Sequence, residues 1–297
     1  MSTTAAAVLP RRRRSASLWQ DAWSRLWRNR MAVGCGAFLA LLTVLCFGAP
    51  LLPGLPDPNL PDFDLGAAPP SWVHWFGTDT LGRDLLARTL YGGRISLLVG
   101  FVATLVSLVV GVSYGAVAGY KGGRTDEVLM RIVDILYSLP YIFLVILLLV
   151  FFSKSLLMLF VALGLVQWLT MSRIVRGQVL SLKQQAFVEA ARALGATDRR
   201  IIFAHLVPNT LGPVIIYSTL TVPAIMLQEA FLSFLGLGVQ PPDASWGVLI
   251  NEGRQLMTLF PWLVTFPGLA LAATLFAFNF LGDGLRDALD PQARPTA

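Results

Sequence analysis

Six long apolar stretches limit the folds available to this chain more than any other feature of its sequence. They lie at about 31–52, 95–119, 130–152, 156–172, 210–232 and 260–281. Apolar segments of about 17 to 25 residues are long enough to cross the hydrocarbon core of a bilayer as helices. Because lipid offers no hydrogen bonds to the backbone, a segment of this length adopts a helix there. The sequence therefore predicts an all-α polytopic membrane protein with six transmembrane helices.

The overall composition supports the same class of protein. Of the 297 residues, 55% are hydrophobic and only 13% are charged. Soluble domains carry about 25% charged residues. We therefore expect this apolar chain to be a membrane protein.

The distribution of Lys and Arg predicts the orientation of the spans. With the N-terminus inside, 18 of the 23 Lys and Arg residues fall in cytoplasmic segments and five fall outside. Positive charge near the ends of spans is retained in the cytoplasm. We therefore expect both termini in the cytoplasm. The same asymmetry accounts for the net charge of +6, so we expect no nucleic-acid partner.

The spans divide the chain into five predicted parts. These are a cytoplasmic basic segment (1–30), the first transmembrane helix (31–52), an external loop with a short surface helix (53–93), a five-helix core with a cytoplasmic loop at 173–209 (94–283), and a cytoplasmic tail (284–297). Thr78 or Asp79 is expected to cap the surface helix, and Gly92-Gly93 to end it.

The cytoplasmic loop contains a polar stretch, 187–209, that predicts two short helices. An apolar stripe on the first helix is formed by Phe187, Ala190, Ala191 and Leu194, spaced i, i+3, i+4 and i+7. Gly195 ends this helix as a left-handed cap. Thr197 or Asp198 caps a second helix that begins at Arg199, and Pro208 ends it.

Three segments of the chain resemble a known protein family. Glu189-Ala190-Ala191, followed by Gly195 and by Pro208, resembles the "EAA" signature of permease subunits from bacterial binding-protein-dependent ABC importers. The stretches WFGTDTLGRDLLARTLYGGRISLLVG (75–100) and EAFLSFLGLGVQPPDASWG (229–247) are similar to the C-type subunit of the dipeptide, oligopeptide and nickel branch. One departure is His205-Leu206-Val207, which stands where the family has a hydrophobic pair before the proline.

The resemblance implies a type I ABC importer permease fold, with residues 94–283 as the permease core and 173–209 as its coupling loop. It also implies a docking site for an ATPase subunit, formed by Phe187, Glu189, Ala190, Ala191, Leu194, Gly195, Arg199 and Pro208. In that contact Glu189 would be a polar anchor and Gly195 would set the angle between the helices. The implied partners are a second homologous permease, two ATP-binding subunits and an external solute-binding protein, at the bacterial cytoplasmic (inner) membrane.

The sequence contains no G-x-x-x-x-G-K-[ST] motif, the signature of a phosphate-binding P-loop. We therefore expect no cofactor on this chain, with ATP and Mg²⁺ on the partner ATPase subunits. We also expect no catalytic residue and no metal site, since the only two histidines, His74 and His205, are predicted on opposite sides of the membrane.

Small residues recur every four positions along the second span, at Ala103, Ser107, Gly111, Gly115 and Gly119. Such a strip lets two membrane helices approach closely. Gly111 to Gly115 also match the G-x-S-x-G nucleophile elbow of hydrolases, with Ser113 at its centre. That elbow requires a strand before a sharp turn, whereas a continuous apolar helix is predicted here. Close packing is therefore the favoured interpretation.

The third span is expected to kink at Pro140, and an ion network of Glu127, Arg131 and Asp134 is expected at its cytoplasmic end. Glu229 lies near the outer end of the fifth span. An ionisable residue at membrane depth is a candidate for the translocation path, and a structural role near the outer interface is the alternative.

Taken together, the sequence predicts a membrane subunit of an ATP-driven importer for di- or oligopeptides or a related small solute. The alternative is a secondary transporter or channel driven by an ion gradient, which often contains inverted repeats; no obvious repeat is present. A membrane hydrolase is a third hypothesis.

Overall fold

The computed structural model describes residues 18–152 and 155–289, which are mostly helical and include no strand. The helices are α1 (Leu18–Arg28), α2 (Arg30–Gly48), α3 (Leu85–Lys121), α4 (Gly123–Ser138), α5 (Tyr141–Phe152), α6 (Leu156–Leu182), α7 (Ala186–Ala193), α8 (Asp198–Arg200), α9 (Val207–Asn209), α10 (Leu211–Phe234), α11 (Trp246–Arg254) and α12 (Trp262–Leu289). A 3-10 turn, Ala49–Leu51, extends α2, and a π-helical segment, Ile201–Leu206, joins α8 to α9. The predicted basic segment before residue 18 and the tail beyond residue 289 lie outside the described residues.

Within residues 18–152 and 155–289, five helices are long and apolar enough to cross a membrane: α2 with its 3-10 turn, α3, α6, α10 and α12. A sixth crossing is available if α4 and α5 form one broken span. The predicted all-α membrane class is therefore confirmed.

The third span is broken at Pro140, where the sequence predicts a kink. Its two halves meet at an angle of 88°. Leu139 has extended backbone angles, φ −78° and ψ 137°, because the ring of the following proline disfavours a helical conformation there. The kink is therefore a sharp bend between two separate helices.

The separate surface helix predicted before the second span is wrong. Helix α3 begins at Leu85, where the Asp84 carboxylate accepts a hydrogen bond from the backbone N–H of Ala87 at 2.8 Å, and it continues through Gly92 and Gly93. A β-carbon on Gly93 would lie 2.6 Å from the Cys46 sulfur and from the Trp246 ring. The two glycines therefore create space for packing and do not end the helix.

Buried Trp246 fixes the loop 235–245 and α11 onto α3. We call this segment the external cap, because the distribution of Lys and Arg predicts it outside. The Trp246 indole N–H donates to the carbonyl oxygen of Thr89 at 2.8 Å, and its backbone N–H donates to the Ser96 hydroxyl at 3.0 Å. Ser245 caps α11 by accepting from the backbone N–H of Val248. This cap fixes the start of α11.

Helices α3 and α6 pack backbone to backbone. The predicted small-residue strip, Ala103, Ser107, Gly111, Gly115 and Gly119, is buried. A β-carbon on Gly111 would lie 2.6 Å from that of Met171, one on Gly119 would lie 2.9 Å from the Arg176 carbonyl oxygen, and one on Gly115 would clash with the Ser172 backbone. At these three glycines the close contact lies within this chain.

Ion pairs join α4 to the C-terminal half of α6. Asp126 accepts two hydrogen bonds from the Arg176 guanidinium, and Asp134 accepts one from Arg173 at 2.7 Å. The prediction that Asp134 pairs with Arg131 on its own helix is wrong, since a residue 39 positions away provides the cation. These bonds tie the broken span to the helix that leads into the cytoplasmic loop.

Candidate functional site

Helix α7, the first of two short helices that the distribution of Lys and Arg predicts to be cytoplasmic, ends in a Schellman motif centred on Gly195. The backbone N–H of Gly195 donates to the carbonyl oxygen of Arg192, and that of Ala196 donates to Ala191, both at 3.0 Å. Gly195 has φ +79°, a conformation that side-chain-bearing residues rarely adopt. Gly195 therefore lies at the turn between the two short helices.

The apolar stripe of α7 is divided between two faces. Val188 and Ala191 are buried against Ile201, Ile202 and Leu206 in a cluster that also includes residues of α3, α6 and α10. The interpretation of Ala191 as an exposed docking residue is therefore corrected: it packs within this chain.

Three of the four residues of the predicted stripe remain exposed, namely Phe187, Ala190 and Leu194. Leu194 has 89% of its surface exposed, and Glu189 lies on the same outer side of α7. An apolar side chain this exposed gains no burial energy within this chain. We call Phe187, Glu189, Ala190 and Leu194 the outer face of α7.

The second cytoplasmic helix is longer and less regular than the sequence predicts. The Thr197 hydroxyl accepts from the backbone N–H of Arg200, so the helix begins at Asp198, one residue before the predicted start. Pro208 does not end it, because the proline occupies the first turn of α9, where its missing N–H costs no helical bond. The helix ends at Asn209, whose side-chain amide donates to the His205 carbonyl oxygen. Arg199 is exposed.

Polar contacts hold this helix pair against the cytoplasmic end of α3. The Tyr120 hydroxyl donates to Asp198 at 2.9 Å, and Lys183 donates to the carbonyl oxygen of Gly119 at 2.8 Å. The pKa of the exposed Arg192 guanidinium is raised, mainly by a hydrogen bond with the Tyr120 side chain, so Arg192 stays positively charged. Since each exposed pair is weak, the buried cluster beneath α7 provides most of the attachment.

Glu229 lies inside the external cap. Its side chain is 1% exposed, and one carboxylate oxygen accepts hydrogen bonds from Ser233 at 2.7 Å and from Ser245 at 2.6 Å. Through these two bonds Glu229 connects α10 to the start of α11. This geometry favours the structural alternative.

The hydrolase hypothesis finds no support in the geometry. Ser113 lies within the continuous helix α3, and its hydroxyl donates to the carbonyl oxygen of Val109, as a helical serine commonly does. His74 contacts Asp84 at 2.8 Å in the loop before α3, and His205 lies in the π-helical segment between α8 and α9. The described residues form no strand from which a nucleophile elbow could rise.

Comparison with known proteins identifies the family. Residues 111–295 match the model of the binding-protein-dependent transport system inner membrane component, well over half of the chain. The chain belongs to this family. Residues 17–70 also match the N-terminal transmembrane domain of oligopeptide transport permease C. The chain is therefore a permease subunit of an ABC importer, and the secondary-transporter alternative is excluded.

Curated relatives match nearly the whole chain. The oligopeptide transport system permease protein OppC of Escherichia coli (strain K12) is 50% identical over 279 residues, 94% of this chain and 92% of the relative. The dipeptide transport system permease protein DppC of Bacillus subtilis (strain 168) is 48% identical over 95% of this chain and 88% of the relative.

A solved structure supports the fold. A chain of the inward-facing MetNI methionine ABC transporter superposes on 69% of this permease and on 98% of itself, with a TM-score of 0.56 and 21% identity.

Sequence reasoning missed two features of this permease. Val188 is fully buried beneath α7, although the predicted apolar stripe, which begins at Phe187, does not include it. The amides of Gln167 and Gln228 meet across α6 and α10 at 3.3 Å, 61 positions apart in the sequence. The sequence did offer a signal for the second feature, because Gln167 and Gln228 are polar residues within otherwise apolar spans.

Proposed function

We propose that this permease and a second homologous permease together form the path by which di- or oligopeptides, delivered by an external binding protein, cross the bacterial cytoplasmic membrane. Support for the solute comes from the peptide permeases that match 94–95% of this chain at 45–50% identity. The proposed orientation has both termini in the cytoplasm, as the distribution of Lys and Arg predicts.

The cytoplasmic helix pair is the proposed contact with the ATPase subunits, one for each permease. The observation that carries this proposal is the outer face of α7, where Leu194 is 89% exposed next to a helix whose other side is buried. Such a surface suits a groove in a partner, because an amphipathic helix seated in a groove buries its apolar face. ATP and Mg²⁺ bind to those partners, since this sequence has no P-loop.

Movement would pass from the ATPase to the spans through packed contacts. Val188 and Ala191 share a buried cluster with Val175 and Val179 of α6, so a force applied to α7 acts directly on a membrane helix. The bonds of Asp126 and Asp134 to α6 extend this connection to the broken third span. Dense packing transmits such displacements with little loss.

The test is copurification of the ATPase subunits with tagged Leu194→Asp. We expect the variant to insert normally and to lose ATPase copurification and peptide uptake by about tenfold or more, the loss expected when an interface anchor is removed. Thr125→Asp is the matched control, because it adds the same charge at an exposed cytoplasmic site on α4. Normal copurification with Leu194→Asp would refute docking at this face. A wild-type complex that takes up no alanine peptide of two to five residues would refute the peptide assignment.

A further inference from the structure

An open pocket of about 440 Å³ lies where the broken third span faces α6 and α10. Half of its lining residues carry polar side chains without formal charge: Tyr137, Ser138, Tyr141, Gln167, Thr170 and Gln228. Among the described residues that line it, none is charged. The pocket is separate from the outer face of α7 and from the external cap.

The pocket lies at membrane depth. Gln167 is 11 residues from the outer end of α6, about 16 Å along the helix, and Gln228 is six residues from the outer end of α10, about 9 Å. Transfer of a hydroxyl or amide into an apolar medium is unfavourable when a hydrogen-bonding partner is absent, and six side chains with such groups surround one pocket. This concentration of polar groups indicates that the surface faces water or a polar solute and not lipid.

The two glutamines leave hydrogen-bonding capacity unused. The Gln167 amide N–H donates to the Gln228 side-chain oxygen at 3.3 Å, a long single bond. In the described part of the chain, no protein group pairs with the Gln167 oxygen or with the Gln228 NH₂. Both residues are only partly buried, so one acceptor and several donors are directed at the pocket.

The break at Pro140 opens the pocket and an ion pair fixes one wall. Tyr137 and Tyr141 flank the 88° bend and are exposed on the surface of this subunit. The Arg173 guanidinium, held by Asp134, lies 4.4 Å from the centre of the Tyr137 ring. Broken helices at membrane depth are a common way to build solute sites, because unpaired backbone groups are tolerated only beside a cavity.

From this arrangement we infer that Gln167 and Gln228 form a transient binding surface for the peptide backbone of the transported solute within the membrane. An amide side chain matches a peptide bond, because each carries one carbonyl acceptor and N–H donors. An uncharged surface accepts peptides whatever the charge of their side chains. Weak neutral hydrogen bonds also allow release, which a conducting site requires. The inference rests on the proposed function in peptide import.

The test replaces both amides by apolar groups of similar size, Gln167→Leu with Gln228→Leu. The complex, with its ATPase and binding-protein partners, is reconstituted in liposomes, and ATP-driven uptake of trialanine and pentaalanine is measured. We expect uptake to fall by about tenfold, since about two neutral hydrogen bonds are lost. ATPase activity stimulated by the peptide-loaded binding protein should stay within about twofold of the wild type, because the cytoplasmic contacts are unchanged. Gln178→Leu, at an exposed position of α6 outside the pocket, is the control and should transport normally.

The possible results distinguish a failure of the inference from a failure of the proposed function. Reduced uptake with intact partner copurification and retained ATPase activity supports the inference. Unchanged uptake by the double variant, while the wild type transports, overturns the inference alone. Loss of the second permease from the purified complex also overturns it, because the pocket would then be a contact between permeases. A wild-type complex that transports neither peptide refutes the proposed function and the inference with it.

Discussion

At the scale of single residues, Gly115 shows how little space the membrane core of this permease leaves. A β-carbon at this position would meet the backbone of Ser172, which cannot rotate away as a side chain can. Gly177 provides a contrast on α6, because a β-carbon there has no other atom within 4 Å. The two glycines look alike in the sequence and differ in what surrounds them.

We predict that Gly115→Ala destabilises the subunit by about 1–3 kcal/mol, the usual cost of overpacking a tight core. Gly177→Ala should leave stability unchanged or raise it slightly, since alanine has the higher helix propensity. Fluorescence-detected size-exclusion chromatography after heating would compare the two variants in detergent. Equal melting of Gly115→Ala and the wild type would show that α3 and α6 can separate without penalty.

At the scale of the elements, the turn at Gly195 fixes how the two cytoplasmic helices meet. A β-carbon at Gly195 would contact nothing, so the cost of a substitution comes from its φ of +79°. That conformation costs a non-glycine residue about 1–2 kcal/mol, and a β-branched residue is a stronger outlier. A substitution here therefore alters the turn and leaves the packing of the spans intact.

We predict that Gly195→Val reduces peptide uptake while membrane abundance stays normal, and that Gly195→Ala has a milder effect. The physical reason is the changed direction of Leu194, whose displacement by an ångström or two would forfeit its packing against the ATPase. Uptake, ATPase activity and membrane abundance should be measured on the same preparations. Full uptake by Gly195→Val would mean that the turn has no role in coupling.

The elements also show what the sequence could and could not predict. Periodicity and length located the spans and the glycine end of α7, because each depends on neighbours within a few residues. The pair Gly92-Gly93 led to a wrong prediction, since a glycine pair commonly ends a helix, whereas here Cys46 and Trp246 fill the space beside Gly93 and residues of 244–249 fill the space beside Gly92. Only contacts over long distances in the sequence could reveal this.

The sequence likewise predicted some features of the candidate sites and not others. The motif identified α7 and Gly195, but it could not tell that Ala191 faces inward and Leu194 outward, because that depends on the cluster beneath the helix. The ion partner of Asp134 was missed because Arg173 belongs to another helix. A search confined to i,i+3 and i,i+4 spacing finds partners on the same helix only.

At the scale of the whole molecule, two very exposed side chains provide a test of orientation. Trp72, in the loop before α3, is 97% exposed, and Leu194, beside α7, is 89% exposed. The distribution of positive charge predicts that the first lies outside and the second in the cytoplasm. Cysteines at these positions would report the two sides of the membrane, once Cys35 and Cys46 are replaced by alanine.

We predict that a membrane-impermeant maleimide labels Trp72→Cys on spheroplasts and labels Leu194→Cys only after permeabilisation. In purified complexes, the ATPase subunits should slow the labelling of Leu194→Cys by about tenfold, because an interface anchor is shielded from water. Thr125→Cys is the control for the cytoplasmic side and should label equally with and without ATPase. Labelling of Leu194→Cys on intact spheroplasts would contradict the predicted orientation. Equal labelling with and without ATPase would place the docking contact elsewhere on this subunit. The same two cysteines therefore test both the membrane topology and the contact with the ATPase.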